Sequence, residues 1–228
     1  MPALVAMNLI ERATIQHFHR HRIGTFGVSS ARCVGWRDDD SQRRRFEAIA
    51  GAAPLAGASV LDVGCGLGDL KGFLDERFED VSYIGVDHMA PFIRQARERY
   101  GHDAGTSFLE GDFGSAAFLE VDYVVASGAL SYRCADPGFW RRMIRKMFCS
   151  ARRGVLFNML DAAVFPAHPL LVGQDRGEVV AFCRELSRRV TLIDGYLDDD
   201  FTVCIHRGRR PFAGATPVIA PLASRGWP

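Results

Sequence analysis

The densest chemistry in the chain lies in nine residues, Val60-Leu-Asp-Val-Gly-Cys-Gly-Leu-Gly68. An apolar run passes directly into alternate glycines, which let a backbone turn tightly and approach a ligand with no Cβ in the way. Asp62 stands two positions before the first of them, Gly64, and Cys65 and Gly66 follow. Three further places repeat the pattern of an apolar run ending in polar or small residues. Asp87 closes the second run, where a carboxylate can accept hydrogen bonds from both hydroxyls of a ribose, whether of an adenosyl ligand or of NAD. Glu110-Gly-Asp-Phe113 closes the third; the carboxylate of Asp112 can accept from an adenine amino group, and Phe113 offers its backbone N–H and its ring. Ala126-Ser-Gly-Ala-Leu130 closes the fourth, and the small residues around Ser127 leave room for the far end of such a ligand. Asp87 also reads as the N-cap of a helix entered through His88, Met89 and Ala90, which accounts for one site but not for the ordered set.

The elements that must position these groups are readable from Ser59 onward, where apolar runs alternate with helix-period segments, the pattern of a parallel sheet with crossover helices. Strands are expected at Ser59–Gly64, Ser82–Asp87, Thr106–Leu109, Asp122–Ala126 and Val155–Met159. Helices are expected at Asp69–Phe78, Pro91–Tyr100, from the Asp136-Pro137 cap to about Cys149, and at about Glu178–Arg188. Val190–Tyr196 and Phe201–His206 are separated only by Leu197-Asp-Asp-Asp200. That gap is too short for a parallel crossover, so an antiparallel hairpin is predicted, its last strand beside the fifth. All four motifs then fall at strand carboxyl ends, where ligands bind in such sheets.

The spacing G-x-G-x-G departs from the dinucleotide fingerprint G-x-G-x-x-G, and together with the closing hairpin it disfavours an NAD-dependent oxidoreductase. From Ser59 to Arg207 the set resembles the class I S-adenosylmethionine-dependent methyltransferases. The resemblance implies an α/β fold, a seven-stranded Rossmann-like methyltransferase sheet of five parallel strands plus the closing hairpin, with S-adenosylmethionine as cofactor. It further implies that Gly64, Cys65 and Gly66 hold the methionyl part, Asp87 with His88 and Met89 the ribose, and Asp112 with Phe113 the adenine. Cys65 is then a backbone contact and not a nucleophile. Gly35-Trp36 with Ser41-Gln42 and Arg45-Phe46 is similar to a lead-in of some small bacterial methyltransferases. Arg45 could pair with the carboxylate of the methionyl group or of an acidic substrate, against the alternative that Arg43 to Arg45 form a solvated helix face.

The acceptor is less legible, because the sulfonium carries its own electrophile and the protein mainly has to hold the acceptor in line. His168, in the loop Phe165-Pro-Ala-His-Pro169, and Tyr132, after the fourth strand, are the candidate proton acceptors, or else simple contacts of a lid. His17, His19 and His21 alternate in a way that is wrong for ligands on one helix face, and no metal is expected. No Asp/Asn-Pro-Pro-aromatic signature follows the fourth strand and no Pro-Cys pair occurs, which disfavours amino-methylating nucleic-acid enzymes and the cysteine-nucleophile cytosine enzymes. A protein or tRNA methyltransferase and a non-catalytic adenosyl-binding subunit are the alternatives to a small-molecule enzyme.

Composition sets the outer bounds. The chain has 228 residues, 48% hydrophobic and 24% charged, with a formal net charge of +1, so one α/β domain fits and no nucleic-acid footprint stands out. The six cysteines show no metal spacing, and no apolar run reaches the roughly 18 residues of a membrane span. A cytoplasmic monomer or homodimer acting on a small molecule is expected, with no nucleic-acid or membrane partner. Its domains are read as a helical lid over 1–50, with helices at Val5–Phe18 and Ser41–Ile49, a cofactor-binding domain over 51–208, and an irregular Pro- and Gly-rich tail over 209–228.

Overall fold

A computed structural model of the chain describes residues 7–208; the expected tail over 209–228 lies outside them. A seven-stranded sheet runs through these residues in the order β3-β2-β1-β4-β5-β7-β6. Its strands are β1 (Ser59–Val63), β2 (Ser82–Asp87), β3 (Thr106–Glu110), β4 (Val121–Ala126), β5 (Ala151–Leu160), β6 (Val190–Ile193) and β7 (Asp200–His206). The first five are parallel, and β7 is antiparallel both to β5, with Asn158 opposite Thr202, and to β6, with Ile193 opposite Thr202. The hairpin and the insertion of its second strand beside the fifth are therefore as the short connection required. β1 continues to β2 on one side while β4 lies on its other side, so the strand order reverses there and leaves a crevice at the carboxyl ends.

Helices cover both faces, as they must when central strands are apolar on both sides. Phe46 and Ile49 of α2 (Asp39–Gly51), Leu70, Phe73 and Leu74 of α3 (Asp69–Asp75) and Ile93 and Ala96 of α4 (Ala90–Tyr100) pack with Val60, Tyr83 and Val125 on one face. On the other, Trp140, Met143, Ile144 and Met147 of α5 (Phe139–Ser150) and Val179 and Phe182 of α6 (Arg176–Leu186) pack with Leu61, Val124 and Val155.

Several boundaries differ from the sequence expectation, β5 starting at Ala151 and β6 ending at Ile193 among them, and three further differences have local reasons. Asp136 does not cap α5. Its carboxylate accepts from the Gly138 N–H at 2.9 Å, closing a turn, and the helix starts two residues later with Gly138 as its cap. α3 ends at Asp75, although a further turn carries the half-buried Phe78 N–H to Leu74 O. The first helix, α1, runs over Leu9–Phe26, starting later and ending two turns beyond the expected end. Asn8 and Glu11 form a reciprocal capping box at its start, and Gly27, at φ 78°, stops it. Its His- and Arg-rich second half stays helical because Ile15 and His19, four residues apart, share the buried face.

Candidate functional site

The crevice is floored by the glycine loop. Gly64 has φ 79°, and a Cβ placed on it would stand 2.6 Å from the Ala129 Cβ. β1 and the turn after β4 approach so closely there that only glycine fits. The Gly64 and Cys65 N–H groups both donate to Val86 O, which fastens the loop to β2. The Cys65 side chain faces inward, where a Cβ on Gly85 would come within 2.8 Å of its Sγ, and burial holds its thiol well above the usual range.

Asp87 is buried at the end of β2, and its two oxygens accept from the Gly66 N–H at 3.0 Å and the Met89 N–H at 2.9 Å. The carboxylate therefore locks glycine loop to helix start and keeps lone pairs for a diol. Asp62 lies on the floor, 2% exposed; Tyr83 donates to its Oδ2 while its Oδ1 has no partner, and burial pushes its pKa up to about 7. His88 and Phe113 place their rings 6.3 Å apart at one end of the crevice, and the buried His88 Nε2 also lacks a partner. Asp112 beside them receives Arg12 of α1 at 3.1 Å.

The opposite end is built by α2 and the segment before it. A Cβ on Gly128 would stand 2.5 Å from the Trp36 ring, so the indole lies directly on the turn after β4. The Arg45 guanidinium sits over that ring, 4.7 Å from its centroid. Arg45 Nε donates to Asp200 at 2.8 Å and Nη1 to Ser41 O at 2.9 Å, while Nη2 bonds to none of the described residues. Of the three arginines that the alternative reading put on one solvated face, Arg43 and Arg44 are exposed and Arg45 is buried. Gln42 turns instead to Asp69 at 3.1 Å. Beyond Asp200 a buried polar chain continues through Tyr196, Thr202 and Asn158 to Ser127, whose hydroxyl donates to Asn158 Oδ1 at 2.7 Å. Nothing in the sequence reading singled out this chain, although a polar Asn158 inside an apolar strand was a visible signal.

Of the residues proposed from sequence, Trp36, Arg45, Asp62, Gly64, Cys65, Gly66, Asp87, His88, Asp112, Phe113, Ser127 and Tyr132 all line this one cleft. Met89 and His168 do not. Met89 is buried beneath it and contributes its N–H to Asp87. The His168 Nδ1 accepts the Leu170 and Leu171 N–H groups at 3.2 and 3.0 Å and so closes its own Pro-flanked turn, which Arg133 fastens through His168 O. Its ring staples the loop and does not line the cleft. His19 was passed over with its neighbours, yet it is buried and lines the cleft; its Nε2 meets Tyr132 Oη at 2.7 Å and its Nδ1 meets Cys33 O at 3.0 Å. Among the described residues no cluster of three His, Cys, Asp or Glu side chains is placed to hold a metal, and no helix is long and apolar enough to cross a membrane.

Residues 60–154 match a family model described as a methyltransferase domain. The chain is 30% identical over 164 residues to Rv1506c of Mycobacterium tuberculosis (strain ATCC 25618 / H37Rv), whose name assigns it to the methyltransferases; the match covers 65% of this chain and 93% of that protein. A trans-aconitate 2-methyltransferase of Acidovorax sp. (strain JS42) is 29% identical over 136 residues, 59% of this chain and 50% of the relative, so the chain matches only half the length of that protein. Among solved structures, magnesium protoporphyrin IX methyltransferase (ChlM) from Synechocystis PCC 6803 with bound SAH is similar at TM-score 0.63 and 13% identity, over 86% of this chain and 100% of that one. The N-methyltransferase NodS from Bradyrhizobium japonicum WM9, in complex with S-adenosyl-l-homocysteine, is similar at TM-score 0.63 and 15% identity, over 86% and 99%.

Proposed function

The chain belongs to the class I S-adenosylmethionine-dependent methyltransferases, and from that premise we propose that it holds S-adenosylmethionine in the cleft described above and methylates a small molecule. The observation that carries this reading is the convergence of four strand ends on one crevice, with a glycine cradle that a Cβ would fill, the buried carboxylate of Asp87 at one strand end and the half-buried carboxylate of Asp112 at the next. Asp87 takes the ribose hydroxyls, Asp112 and Phe113 the adenine with His88 beside them, and Asp62, with its unpartnered oxygen, the ammonium end. The free Nη2 of Arg45, held over Trp36, takes the methionyl carboxylate. When bound, the cofactor supplies an electrophilic methyl on a sulfonium; the protein supplies position and shielding from water.

α1 and the segment through Trp36 act as a lid. Ile15, Phe18, His19 and Trp36 line the same cleft as the glycine loop, and Arg12 ties α1 to Asp112. Phe139, Leu160, Phe165 and Leu171 give the same cleft an apolar wall, which supports a small acceptor with an apolar body. A soluble, cytoplasmic place of action fits this reading. Incubation with methyl-labelled S-adenosylmethionine and a fractionated cell extract tests it. Label should enter the low-molecular-weight fraction; label confined to protein or RNA would support a macromolecular methyltransferase instead.

A further inference from the structure

His19 and Tyr132 come from distant parts of the chain and meet inside the cleft at 2.7 Å. A carbonyl only accepts, so the His19 Nδ1 that faces Cys33 O carries the ring proton, and Nε2 accepts from the Tyr132 hydroxyl. Both rings are held. His19 lies edge-on to Phe18 and Phe92 at 5.1 and 5.2 Å, and Tyr132 sits in a short bridge opposite Leu171, flanked by the Arg133 N–H to Leu170 O and Val172 N–H to Ser131 O bonds. A neutral imidazole fixed behind a phenol, with the phenol at the wall of a ligand pocket, is an arrangement that moves protons.

The charges of the cleft narrow what would give up the proton. Six aspartates line it against three arginines. Each arginine already faces a carboxylate: Arg12 has Asp112, Arg45 has Asp200 and Arg37 has Asp38. Arg12 keeps an Nε unpartnered among the described residues, so the cleft does not lack a donor for an anion, but a carboxylate, already ionised, has no use for a base.

We propose that Tyr132 takes the proton of a protic acceptor, a hydroxyl or amine compound with an apolar body, and passes its own to His19, so that the lid helix completes a proton relay. This inference rests on the methyltransferase reading above. In the step, the acceptor's O–H or N–H bond breaks and its proton moves to Tyr132 Oη as the Tyr132 proton moves to His19 Nε2. The electron pair stays on the acceptor atom, which becomes the nucleophile, Tyr132 ends neutral and His19 ends as an imidazolium. Tyr132 is the catalytic residue and His19, acting through it, the positioning residue. The charged and titratable groups facing His19 are Arg22 on its own helix, Cys33 in the following loop, Asp87 and His88 at the end of β2, and Tyr132. Burial lowers the imidazole pKa below its ordinary value, and Asp87 pulls the other way, favouring the ion once formed. The relay is therefore open at neutral pH and closes as acid protonates His19.

The test joins a spectroscopic and a kinetic readout. In the 15N-labelled full chain with S-adenosylhomocysteine bound, the imidazole resonances missing from His19→Gln should report a neutral ring protonated at Nδ1 at pH 7, and Tyr132→Phe should shift the Nε2 resonance. Formation of S-adenosylhomocysteine is then followed with a panel of phenols, naphthols, anilines and alkylamines, and with trans-aconitate as the carboxylate control. Turnover is expected with a protic compound and not with trans-aconitate, falling as pH drops through the His19 ionisation. His19→Gln and Tyr132→Phe should lose about 10²- to 10⁴-fold in kcat and flatten that pH profile, with S-adenosylhomocysteine affinity held within about twofold. The proposal is overturned by an Nε2-protonated ring, by variants that keep the wild-type pH profile, or by turnover of trans-aconitate alone or of no panel member. Those results with S-adenosylhomocysteine still bound leave the methyltransferase reading standing, whereas failure of the wild type to bind it removes both.

Discussion

Arg45 on α2 and Asp200 on β7 form a buried ion pair, Nε to Oδ2 at 2.8 Å, with only 6% and 3% of their side chains exposed. It ties the segment that covers the cleft to the last strand inserted into the sheet. Removing one partner leaves an uncompensated buried charge, so Arg45→Ala should cost about 3 to 5 kcal/mol of stability, read by chemical denaturation. It should also weaken S-adenosylhomocysteine binding. Asp200→Asn strips the buried guanidinium of its counter-charge and, with a single oxygen for Arg45 and Tyr196, leaves one of them facing an amide N–H, so it should cost a comparable amount.

Gly64 carries a steric prediction. A methyl group there meets the Ala129 Cβ at 2.6 Å and forces a side chain into φ 79°. Gly64→Ala should lose about 1 to 3 kcal/mol and most of the cofactor affinity. Adding Ala129→Gly removes the clash but not the backbone strain, so the double variant should recover part of the loss. Full recovery would mean that the positive φ costs nothing.

Asp62 gives a pH signature. Burial raises its pKa to about 7 from an ordinary 3.8, so the folded state holds a proton that the unfolded chain gives up between those values. Its stabilising contribution is complete below about pH 3.8 and is lost as pH rises through about 7. Asp62→Asn keeps an acceptor for Tyr83 and has no charge to bury. Its melting temperature relative to wild type should therefore rise as pH is taken from 5 to 8. An unchanged difference across that range would place the Asp62 titration elsewhere.

Lid closure predicts a pattern of amide exchange. Over residues 15–45, exchange should slow when S-adenosylhomocysteine is added, because Trp36 and Arg45 then gain a ligand beneath them. α6, none of whose residues lines the cleft, should show little change. Equal slowing everywhere would indicate general stabilisation and no lid.

The half of the cleft proposed for the cofactor was legible as a meeting place of residues because its groups sit at strand ends, and strand ends are marked by composition. Gly64 and Asp87 each follow an apolar run directly, and Asp112 comes two residues after β3 ends at Glu110, so their places in the chain fix their places in space. The acceptor half was not legible in the same way. His19 sits in a polar, histidine-rich stretch, and its burial follows only once Ile15 and His19 are seen as one helix face against Phe92 and Tyr132. His168 misled for the converse reason. A histidine in a long loop over the sheet edge has the right address, but the backbone needs of the Pro-His-Pro turn claim its Nδ1. The Asn158 to Asp200 chain depends on the register of β5 against β7, which no local pattern encodes.

The central claim is that this crevice holds an adenosyl cofactor through Asp87. Isothermal titration of the wild-type chain and of Asp87→Ala, each with S-adenosylhomocysteine and with NAD, tests it most directly. The wild type should bind S-adenosylhomocysteine and not NAD, and Asp87→Ala should weaken that binding by about 10- to 100-fold, the loss of a charge-assisted hydrogen-bond partner worth about 1.5 to 3 kcal/mol. Preferential binding of NAD, or an affinity for S-adenosylhomocysteine indifferent to Asp87, would contradict the account.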